Sequence, residues 1–440
     1  MFTYVKLKNY KSLVDFEVDL TSSKNNPKKM IIIYGENGAG KTNFINAFFT
    51  LFETLNTKIH YDKINKLINE NLDNKNNLDI IKDIFKSTDY IINDSKTIGS
   101  NGNMVLEFGF ILKDKESNKD KNGVYYIETD NKNIVKEKLE YTLTKNKTIY
   151  FEIDSKKKYI NKSLFKEKYY NEIKDLIDKF WGKHSFLSIL LFERNDKTKQ
   201  YIDDNIKKNI FDVIEYFLSM SIHLEKNKSI KIGKISSLKD VIINMDKGII
   251  KKNDEHKLKF TEEILNDFFT SIYSDVKKVF YKKKIKEDRI LYNLFFKKRV
   301  YGKMIDVNFD LESNGTQKLL KLLPFLLTSL DEQKPRVVAV DELDSGIHDL
   351  LTSEILVSLF NNINGQFFIT THNTTILESN IDKDSIYVFN IDSIGNKILV
   401  PIKSYENEHP NINFRKRYLN GIYNGIPITS GIDFEDILKK

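Results

Sequence analysis

The chain has 440 residues, enough for two or three domains, and 40% hydrophobic and 30% charged residues, which is ordinary for a globular protein. It contains no cysteine, which excludes disulfides, thiolate zinc sites and a cysteine nucleophile. We expect a cytoplasmic protein, because no apolar run reaches membrane-spanning length and the amino terminus lacks a signal-peptide pattern. The net charge of +8 is weak evidence for nucleic-acid binding, because only six of the 70 basic residues are arginine.

The amino-terminal pattern predicts a strand-rich first part, residues 1–155. A helix is expected from about residue 41 to 55, and a polar, asparagine-rich helical segment from there to about residue 95. Strands are predicted over residues 2–8, 13–20 and 30–34, followed by an antiparallel meander over 104–112, 124–128, 139–143 and 149–153.

The middle of the chain, residues 156–290, is predicted to be a mostly helical insertion. Helical apolar spacing runs from about residue 161 to 285, without an internal repeat or a persistent heptad. Residues 291–440 then return to short alternating elements, which predict a parallel α/β sheet. These elements are strands over 305–311, 336–341, 366–371, 385–390 and 396–402, with helices over about 316–330 and 347–361.

Residues 35–42, Gly-Glu-Asn-Gly-Ala-Gly-Lys-Thr, lie between an apolar strand and a helical pattern, as a phosphate-binding P-loop requires. The glycines let consecutive N–H groups face one concavity, and the following helix adds its positive dipole end. Lys41 is predicted to contact the β- and γ-phosphates and the Thr42 hydroxyl to ligate Mg²⁺. A tight surface turn is the alternative. The predicted nucleotide-binding residues are Gly35, Glu36, Asn37, Gly38, Ala39, Gly40, Lys41, Thr42 and Asn43.

Two neighbouring carboxylates end the apolar strand over 336–341. Ligands bind at the carboxyl edge of open α/β sheets. Asp341 is therefore predicted to reach Mg²⁺, and Glu342 to orient and deprotonate a water that attacks the γ-phosphate. The alternative is that both acids only cap the helix after Ser345 and Gly346.

A histidine and a strand-to-helix junction complete the set of candidates. His372 ends the strand over 366–371, where it can bond a γ-phosphate and sense its loss; a structural histidine is the alternative. Ser313 is a candidate N-cap and Gly315 permits close backbone approach, so this helix start is a second candidate anion site. Two such elements suggest that each chain completes its neighbour's site, with an ordinary capped helix as an equal alternative.

The order of these motifs resembles that of ABC-type ATPase heads, as in RecF, SMC and OLD-type proteins. The chain also resembles AAA-labelled, ABC-like ATPases of bacterial phage-defence operons, which are related to those of the PARIS and AbiL systems. The resemblance lies in Asn37, in segments 312–316 and 370–373, and in the tail over 418–427. The match covers roughly residues 1–55 and 300–430. It implies an α/β ABC-type head: a P-loop parallel sheet and an antiparallel β-subdomain, with the mostly helical insertion.

The resemblance also implies a role for each matching residue. Lys41 and Thr42 would bind phosphate and Mg²⁺, Asp341 would bind Mg²⁺, Glu342 would be the catalytic base and His372 the γ-phosphate switch. ATP and Mg²⁺ are the implied cofactors.

Contacts across a subunit interface are implied as well. Ser313 and Gly315 would reach a partner's ATP, with Asp344 in the loop that links the two sites. Two features depart from the family pattern. Gln200, in a predicted polar loop, is no convincing counterpart of the glutamine that such heads place after the meander, and residues 312–315 replace the transporter-like signature.

The first functional hypothesis is an ATP-hydrolysing switch that oligomerises with ATP between subunits. The resemblance implies that it controls a separate effector, such as a Toprim-type nuclease or a toxin, in anti-phage defence. The alternative is a DNA-binding repair or clamp ATPase resembling RecF or SMC heads. A transporter subunit is disfavoured, because the long insertion would obstruct docking on a membrane domain. The expected partners are further copies of the chain, the effector and DNA, without a membrane.

Overall fold

The computed structural model describes residues 1–22, 26–70, 86–114, 118–225, 229–232, 239–405 and 412–427. The chain forms two compact units, the first made of Met1–Leu218 with Asp382–Lys440 and the second of Ser219–Ile381. Within these described ranges, no helix combines the length and the apolar character that crossing a bilayer requires.

The first unit combines strands from both ends of the chain with helices, numbered here along the whole molecule. Its strands are β1 (Phe2–Tyr10), β2 (Leu13–Asp19), β3 (Met30–Tyr34), β4 (Met104–Lys113), β5 (Asp120–Thr129), β6 (Ile134–Thr142), β7 (Lys147–Asp154), β8 (Lys158–Ile160), β17 (Ile386–Ile391) and β18 (Lys397–Pro401). Its helices are α1 (Lys41–Glu70), α2 (Thr88–Ser95), α3 (Glu167–Phe180), α4 (Phe186–Asp196), α5 (Lys199–Asn205), α6 (Lys208–Leu218) and α10 (Phe414–Leu419).

An antiparallel sheet of seven strands, in the order β2-β1-β4-β5-β6-β7-β8, forms one layer of this unit. Buried and less buried residues alternate along β5 and β6, the pattern of a sheet with one face on a core. Against that face lie aromatic rings of the sheet and α1: the Phe2 ring centroid is 5.0 Å from Phe48 and 5.5 Å from Phe108. The predicted meander is confirmed.

A second group of strands in the first unit leads into the P-loop. β3 pairs in parallel with β17, and β17 pairs antiparallel with β18. All five residues of β3 are buried, which is typical of a strand covered on both faces. α1 extends to Glu70, beyond the predicted end near residue 55, and part of the polar segment predicted as helical lies outside the described residues.

The second unit contains two sheets and three described helices of eight residues or more. Its strands are β9 (Ser221–Leu224), β10 (Ser229–Lys231), β11 (Lys247–Lys251), β12 (Val276–Lys286), β13 (Arg289–Val300), β14 (Lys303–Asn308), β15 (Val337–Val340) and β16 (Gln366–Thr370). Its helices are α7 (Glu255–Ile272), α8 (Asn314–Ser329) and α9 (Asp349–Asn362).

The first sheet of the second unit is parallel through β9, β15 and β16, and β10 joins β9 antiparallel. The carboxyl ends of the three parallel strands therefore meet at one edge. The second sheet is antiparallel: β13 pairs with β11, β12 and β14. The predicted parallel α/β character of the carboxyl-terminal part is confirmed for β15, β16 and β17. It is wrong for the strands predicted over 305–311 and 396–402, because β14 and β18 pair antiparallel.

Part of the helical prediction for residues 161–285 is wrong. Helices α3 to α7 lie in this stretch, but residues 276–285 belong to β12, and β9, β10 and β11 were also missed. In β12, buried Val279 and Tyr281 alternate with the more exposed Lys278, Phe280 and Lys282, a period of two that belongs to a strand. Gln200 lies in helix α5, not in a loop. The domain boundaries at residues 155 and 290 stay a prediction.

Candidate functional site

The P-loop joins the end of β3 to the start of α1 in the first unit. Gly38 has a φ of +80° and Gly40 a φ of +114°, values that side chains rarely adopt. A Cβ at Gly40 would also lie 3.0 Å from Leu13 Cδ2, so this position is both strained and crowded for any other residue. The backbone conformation and the nearby Leu13 side chain both favour glycine here, so the glycine is not an accident of composition. This argues against an ordinary surface turn.

Lys41 is buried at the base of this loop, with 7% of its surface exposed. Its Nζ donates hydrogen bonds to the carbonyl oxygens of Gly35, at 2.7 Å, and Glu36, at 3.0 Å. The ammonium group is therefore held across the loop rather than extended into solvent. Phosphate oxygens are better acceptors for a lysine than loop carbonyls, because the bond is then between two charged groups.

The residues around Lys41 occupy three different environments. Asn37 and Gly38 are exposed at the tip of the loop, whereas Ala39 is buried beneath it. Thr42 is half-buried in the first turn of α1. Asn43 Nδ2 donates to Ser12 Oγ at 2.7 Å, which ties the start of α1 to the turn between β1 and β2.

Lys397 is a P-loop contact that sequence reasoning missed. It begins β18, and its Nζ donates to the Gly38 carbonyl oxygen at 2.5 Å. Burial lowers the pKa of Lys397 from its ordinary value. The sequence around Lys397 has no pattern that would indicate this contact, because the P-loop lies 359 residues away in the chain.

The tail that the sequence analysis singled out, residues 418–427, supports the P-loop. The Tyr418 ring lies 5.3 Å from the Tyr34 ring, centroid to centroid, at the end of β3. A backbone hydrogen bond joins Gly35 to the Tyr418 side chain, whose burial raises its pKa to about 12. Tyr418 Oη also donates to the Gly425 carbonyl oxygen at 3.0 Å. The first glycine of the P-loop is therefore anchored by the tail.

The two acids lie in the second unit, directly after β15. Asp341 is buried, and its Oδ1 accepts a hydrogen bond of 2.7 Å from Thr370 Oγ1 at the end of β16. Glu342 is half-buried and has a φ of +49°, an uncommon conformation for a residue with a side chain. Its N–H donates to Thr370 Oγ1 at 2.8 Å, and its carbonyl oxygen accepts from Lys318 Nζ at 2.8 Å.

Asp344 and His372 are brought together at the same edge. The His372 backbone N–H donates to Asp344 Oδ2 at 3.1 Å, and the histidine side chain is exposed. The following helix, α9, is capped by His348, whose Nδ1 accepts from Leu350 N at 3.2 Å. The alternative in which Asp341 and Glu342 cap this helix is therefore wrong.

The junction before α8 has the geometry predicted for it. Ser313 is the N-cap, and its Oγ accepts from Thr316 N at 3.2 Å. A Cβ at Gly315 would lie 2.3 Å from the Gly346 carbonyl oxygen, in the loop after the acids. Gly315 therefore allows a close approach by this loop of the second unit, and its role in binding an anion stays a prediction.

The predicted residues thus form two groups, one in each unit. The P-loop residues belong to the first, and Ser313, Gly315, Asp341, Glu342, Asp344 and His372 belong to the second. Within the described ranges, no group of three or more His, Asp or Glu side chains has the arrangement of a metal site. Mg²⁺ does not need one, because it binds through one or two protein oxygens together with phosphates and water. A threonine hydroxyl and an aspartate carboxylate are each an oxygen ligand of that kind.

Comparison with known proteins gives one family match. The model of the family described as "AAA domain, putative AbiEii toxin, Type IV TA system" matches residues 30–378. No curated protein matches the chain.

Several solved structures are similar to the chain over 91% of its length. An SMC head bound to the C-winged helix domain of ScpA has 14% identity and a TM-score of 0.43, with 96% of that chain covered. The SMC head domain from Thermotoga maritima has 15% identity and a TM-score of 0.37, with 98% covered. A RecF structure has 12% identity and a TM-score of 0.35, with 97% covered.

Proposed function

The chain belongs to the AAA domain family described as "putative AbiEii toxin, Type IV TA system" and so carries an ATPase-type domain; we propose that it is an ATP-hydrolysing molecular switch. The observation that carries the proposal is the loop between β3 and α1. Gly38 and Gly40 hold conformations that favour glycine there, and the buried Lys41 ammonium spans the loop carbonyls. A triphosphate would replace those carbonyls as the acceptor of the lysine.

We assign the chemical roles as follows. Lys41 neutralises the β- and γ-phosphates, Thr42 and Asp341 provide oxygens for Mg²⁺, and Glu342 accepts the proton of the attacking water. His372 responds to the presence of the γ-phosphate. Mg²⁺ supplies charge neutralisation on the phosphates when it is bound.

The arrangement around Glu342 supports its role as the base. Its N–H donates to Thr370 Oγ1 and its carbonyl oxygen accepts from Lys318 Nζ, so the backbone is held on both sides of the left-handed Cα. The carboxylate therefore extends from a fixed backbone position. Backbone strain of this kind is often retained at functional sites. Asp344, in the same loop, connects this region to the backbone of His372.

The proposed switch works as an assembly with ATP between subunits. Ser313 is exposed at the start of α8, where helix N–H groups can face an anion that a second copy presents. The family description names a toxin system, which supports control of a toxic effector. We propose that this effector is a separate protein, such as a Toprim-type nuclease or a toxin, and that the biological role is anti-phage defence.

Two variants separate nucleotide binding from hydrolysis. Lys41→Ala should weaken binding of a fluorescent ATP analogue at least tenfold, because the loop loses its buried cation. Glu342→Gln should bind the analogue normally and lose hydrolysis by about 100-fold or more, because general-base catalysis contributes that much. Lys66→Ala, exposed on the same helix α1, is the matched control and should change neither quantity.

Each failure has a distinct meaning. Unchanged binding by the Lys41→Ala protein would refute the nucleotide site, and normal turnover by the Glu342→Gln protein would refute the assigned base. For the effector, the two variants are expressed with the neighbouring gene product in bacterial cells. Opposite effects of these variants on its toxicity support the switch, and identical effects refute nucleotide control.

A further inference from the structure

The antiparallel sheet of the second unit has one covered face and one open face. α7 covers one side: the ring centroids of Phe269 and Phe296 are 4.9 Å apart, and Val279 and Tyr281 are buried beside them. The strand register places the residues of opposite parity on the other side. The open face therefore follows directly from the pairing of β12 with β13.

Basic side chains dominate this open face. β12 contributes Lys278, Lys282, Lys284 and Lys286, which are all exposed. Their spacing of two or four residues puts them in one row, roughly 7 Å apart for each two residues. A row of cations at this spacing matches the repeat of phosphates along an extended polynucleotide strand.

The neighbouring strands extend the positive field. β13 adds Arg289, Lys297 and Arg299, which are on the same face by register. β11 adds Lys247 and Lys251, opposite β13. These two strands and β12 together therefore place nine basic side chains on one face, four on β12, three on β13 and two on β11.

The acids near this face are few. Among the described residues of the four strands, the register gives the open face one carboxylate, Asp306 of β14, whose Oδ2 lies 3.1 Å from Lys282 Nζ. Asp310, just after β14, pairs with Lys247 at 2.8 Å. Asp306 also lies 3.9 Å from Lys297 Nζ, so these two acids pair with three of the nine basic side chains. Most of the positive charge is left uncompensated, which favours a polyanion as the occupant.

Two aromatic rings lie in the middle of the lysines. Phe280 and Phe295 are directly paired across β12 and β13, and their half-buried rings have centroids 6.1 Å apart, inclined at 31°. Lys282 Nζ lies 4.2 Å from the centre of the Phe295 ring. Exposed Ile249 continues the apolar strip on β11. A central apolar strip inside a basic field is unusual for a surface whose only task is solubility.

We propose that this open face binds a single-stranded polynucleotide. Phosphates would pair with the lysines of β12, and bases would stack on Phe280 and Phe295, as on other aromatic platforms. A duplex keeps its base faces covered and could use only the charges, so the aromatic pair favours a single strand. The face offers phosphate contacts and stacking, so DNA and RNA should bind alike. This inference does not depend on the nucleotide site.

The test measures fluorescence anisotropy of a labelled thymidine oligonucleotide of about 20 nucleotides with the full-length protein. The double variant Lys278→Ala/Lys284→Ala should weaken binding about tenfold and lower the salt slope by about 1.4, since each phosphate contact to a single strand contributes about 0.7. Phe295→Leu keeps the apolar contact but removes the ring, and should weaken binding about tenfold.

The matched control uses the same strand. Lys277→Ala/Lys283→Ala removes the same net charge, but Lys283 pairs with Glu255 of α7 on the covered side, at 3.1 Å. This variant should bind the oligonucleotide within about twofold of the wild-type protein. A uridine oligonucleotide should bind as tightly as thymidine, and ATP hydrolysis without oligonucleotide should be unchanged in all variants.

Several results would overturn the proposal. One is an equal loss in the open-face and control variants, which would mean attraction by net charge alone. Another is a duplex that binds as tightly as the single strand with Phe295→Leu unaffected. A third is binding of polyglutamate but not of the oligonucleotide, which would assign the face to an acidic protein.

Discussion

The backbone of Glu342 shows how a single residue can be fixed by side chains distant in sequence. Its φ of +49° costs energy, and the hydrogen bond that its N–H donates to Thr370, together with the one its carbonyl oxygen accepts from Lys318, offsets part of that cost. Thr370 has a double role, because the same Oγ1 accepts from Glu342 N–H and donates to Asp341 Oδ1. One buried hydroxyl therefore positions both acids.

Replacing Thr370 by valine keeps its shape and removes this hydroxyl. We expect Thr370→Val to lower the free energy of unfolding by about 1–3 kcal/mol, because buried polar groups lose their partner. ATP hydrolysis should fall more than ATP binding, because the acids move and the P-loop does not change. Steady-state hydrolysis and analogue binding are measured on the same preparation.

The neighbouring Thr371→Val is the matched control. Thr371 is also buried, but its Oγ1 accepts from Asn373 N at 3.0 Å, away from the acids. It should affect stability without a selective loss of hydrolysis. Hydrolysis at the wild-type rate in Thr370→Val would show that the hydroxyl does not position the acids.

At this scale, the sequence predicts what depends on local geometry. The N-cap role of Ser313 and the crowding at Gly315 were predicted because a cap and a close approach have local patterns. The contacts of Lys397 and Thr370 were not predicted. Each depends on a pairing between elements far apart in the chain, and a lone lysine or threonine carries no pattern that reveals it.

At the scale of elements, helix α4 is joined to the antiparallel sheet by a buried carboxyl group. Glu137 of β6 is fully buried and accepts from Phe186 N at 2.6 Å and from Tyr125 Oη at 2.9 Å. Trp181 Nε1 donates to the same carboxyl group at 3.0 Å. Burial nevertheless dominates and raises the pKa of Glu137 to about 7, from an ordinary value of 4.5.

This shift predicts how stability depends on pH. Between pH 4.5 and 7 the folded state holds a proton at Glu137 that the unfolded state has lost, so stability falls as pH rises through this window. The fall should be on the order of 3 kcal/mol between pH 4.5 and 8. In Glu137→Gln, this part of the pH dependence should be absent.

Urea unfolding of both proteins at several pH values provides the measurement. Trp181 is the only tryptophan in the chain and contacts Glu137, so its fluorescence reports this region. The quantity of interest is the difference between the two proteins, because other groups titrate equally in both. The same pH dependence in both would contradict the assignment.

Helices and strands with a clear hydrophobic pattern were predicted well. Elements whose hydrophobic pattern is interrupted were not. β3 and α1 follow from an apolar run and a helical spacing on either side of the glycines. β12 was missed because only Val279 and Tyr281 alternate in its middle, around the apolar Phe280, and the exposed residues 282–286 that follow extend no buried alternation.

At the scale of the whole molecule, the chain folds into units that do not follow its sequence order. The first unit takes Asp382–Lys440 from the end of the chain, where Lys397 and Tyr418 contact the P-loop. Sequence periodicity cannot predict this arrangement, because no local pattern shows which distant segment of the chain will pack against the P-loop. The P-loop thus depends on both ends of the chain.

We proposed that each ATP site is completed by a second copy of the chain. This proposal can be tested only on assembled subunits. Ser313→Arg should bind ATP normally, because the P-loop is intact, but should not hydrolyse it if the bulky side chain blocks a partner's nucleotide. Lys41→Ala should bind ATP at least tenfold more weakly and should therefore hydrolyse little of it. In a head-to-tail pair of these two variants, one of the two sites has an intact Lys41 and faces an intact Ser313.

Mixing the two inactive proteins in equal amounts should therefore restore about a quarter of the wild-type hydrolysis, since roughly half of the pairs are mixed and each has one complete site. Ser313→Ala is the control: it removes the N-cap bond to Thr316, at a cost of about 1 kcal/mol, without adding bulk, and should stay active alone. Absence of recovery at every mixing ratio, in samples shown to exchange subunits, would place the complete site within one chain. Recovery would show that the exposed start of α8 acts on a neighbour's nucleotide.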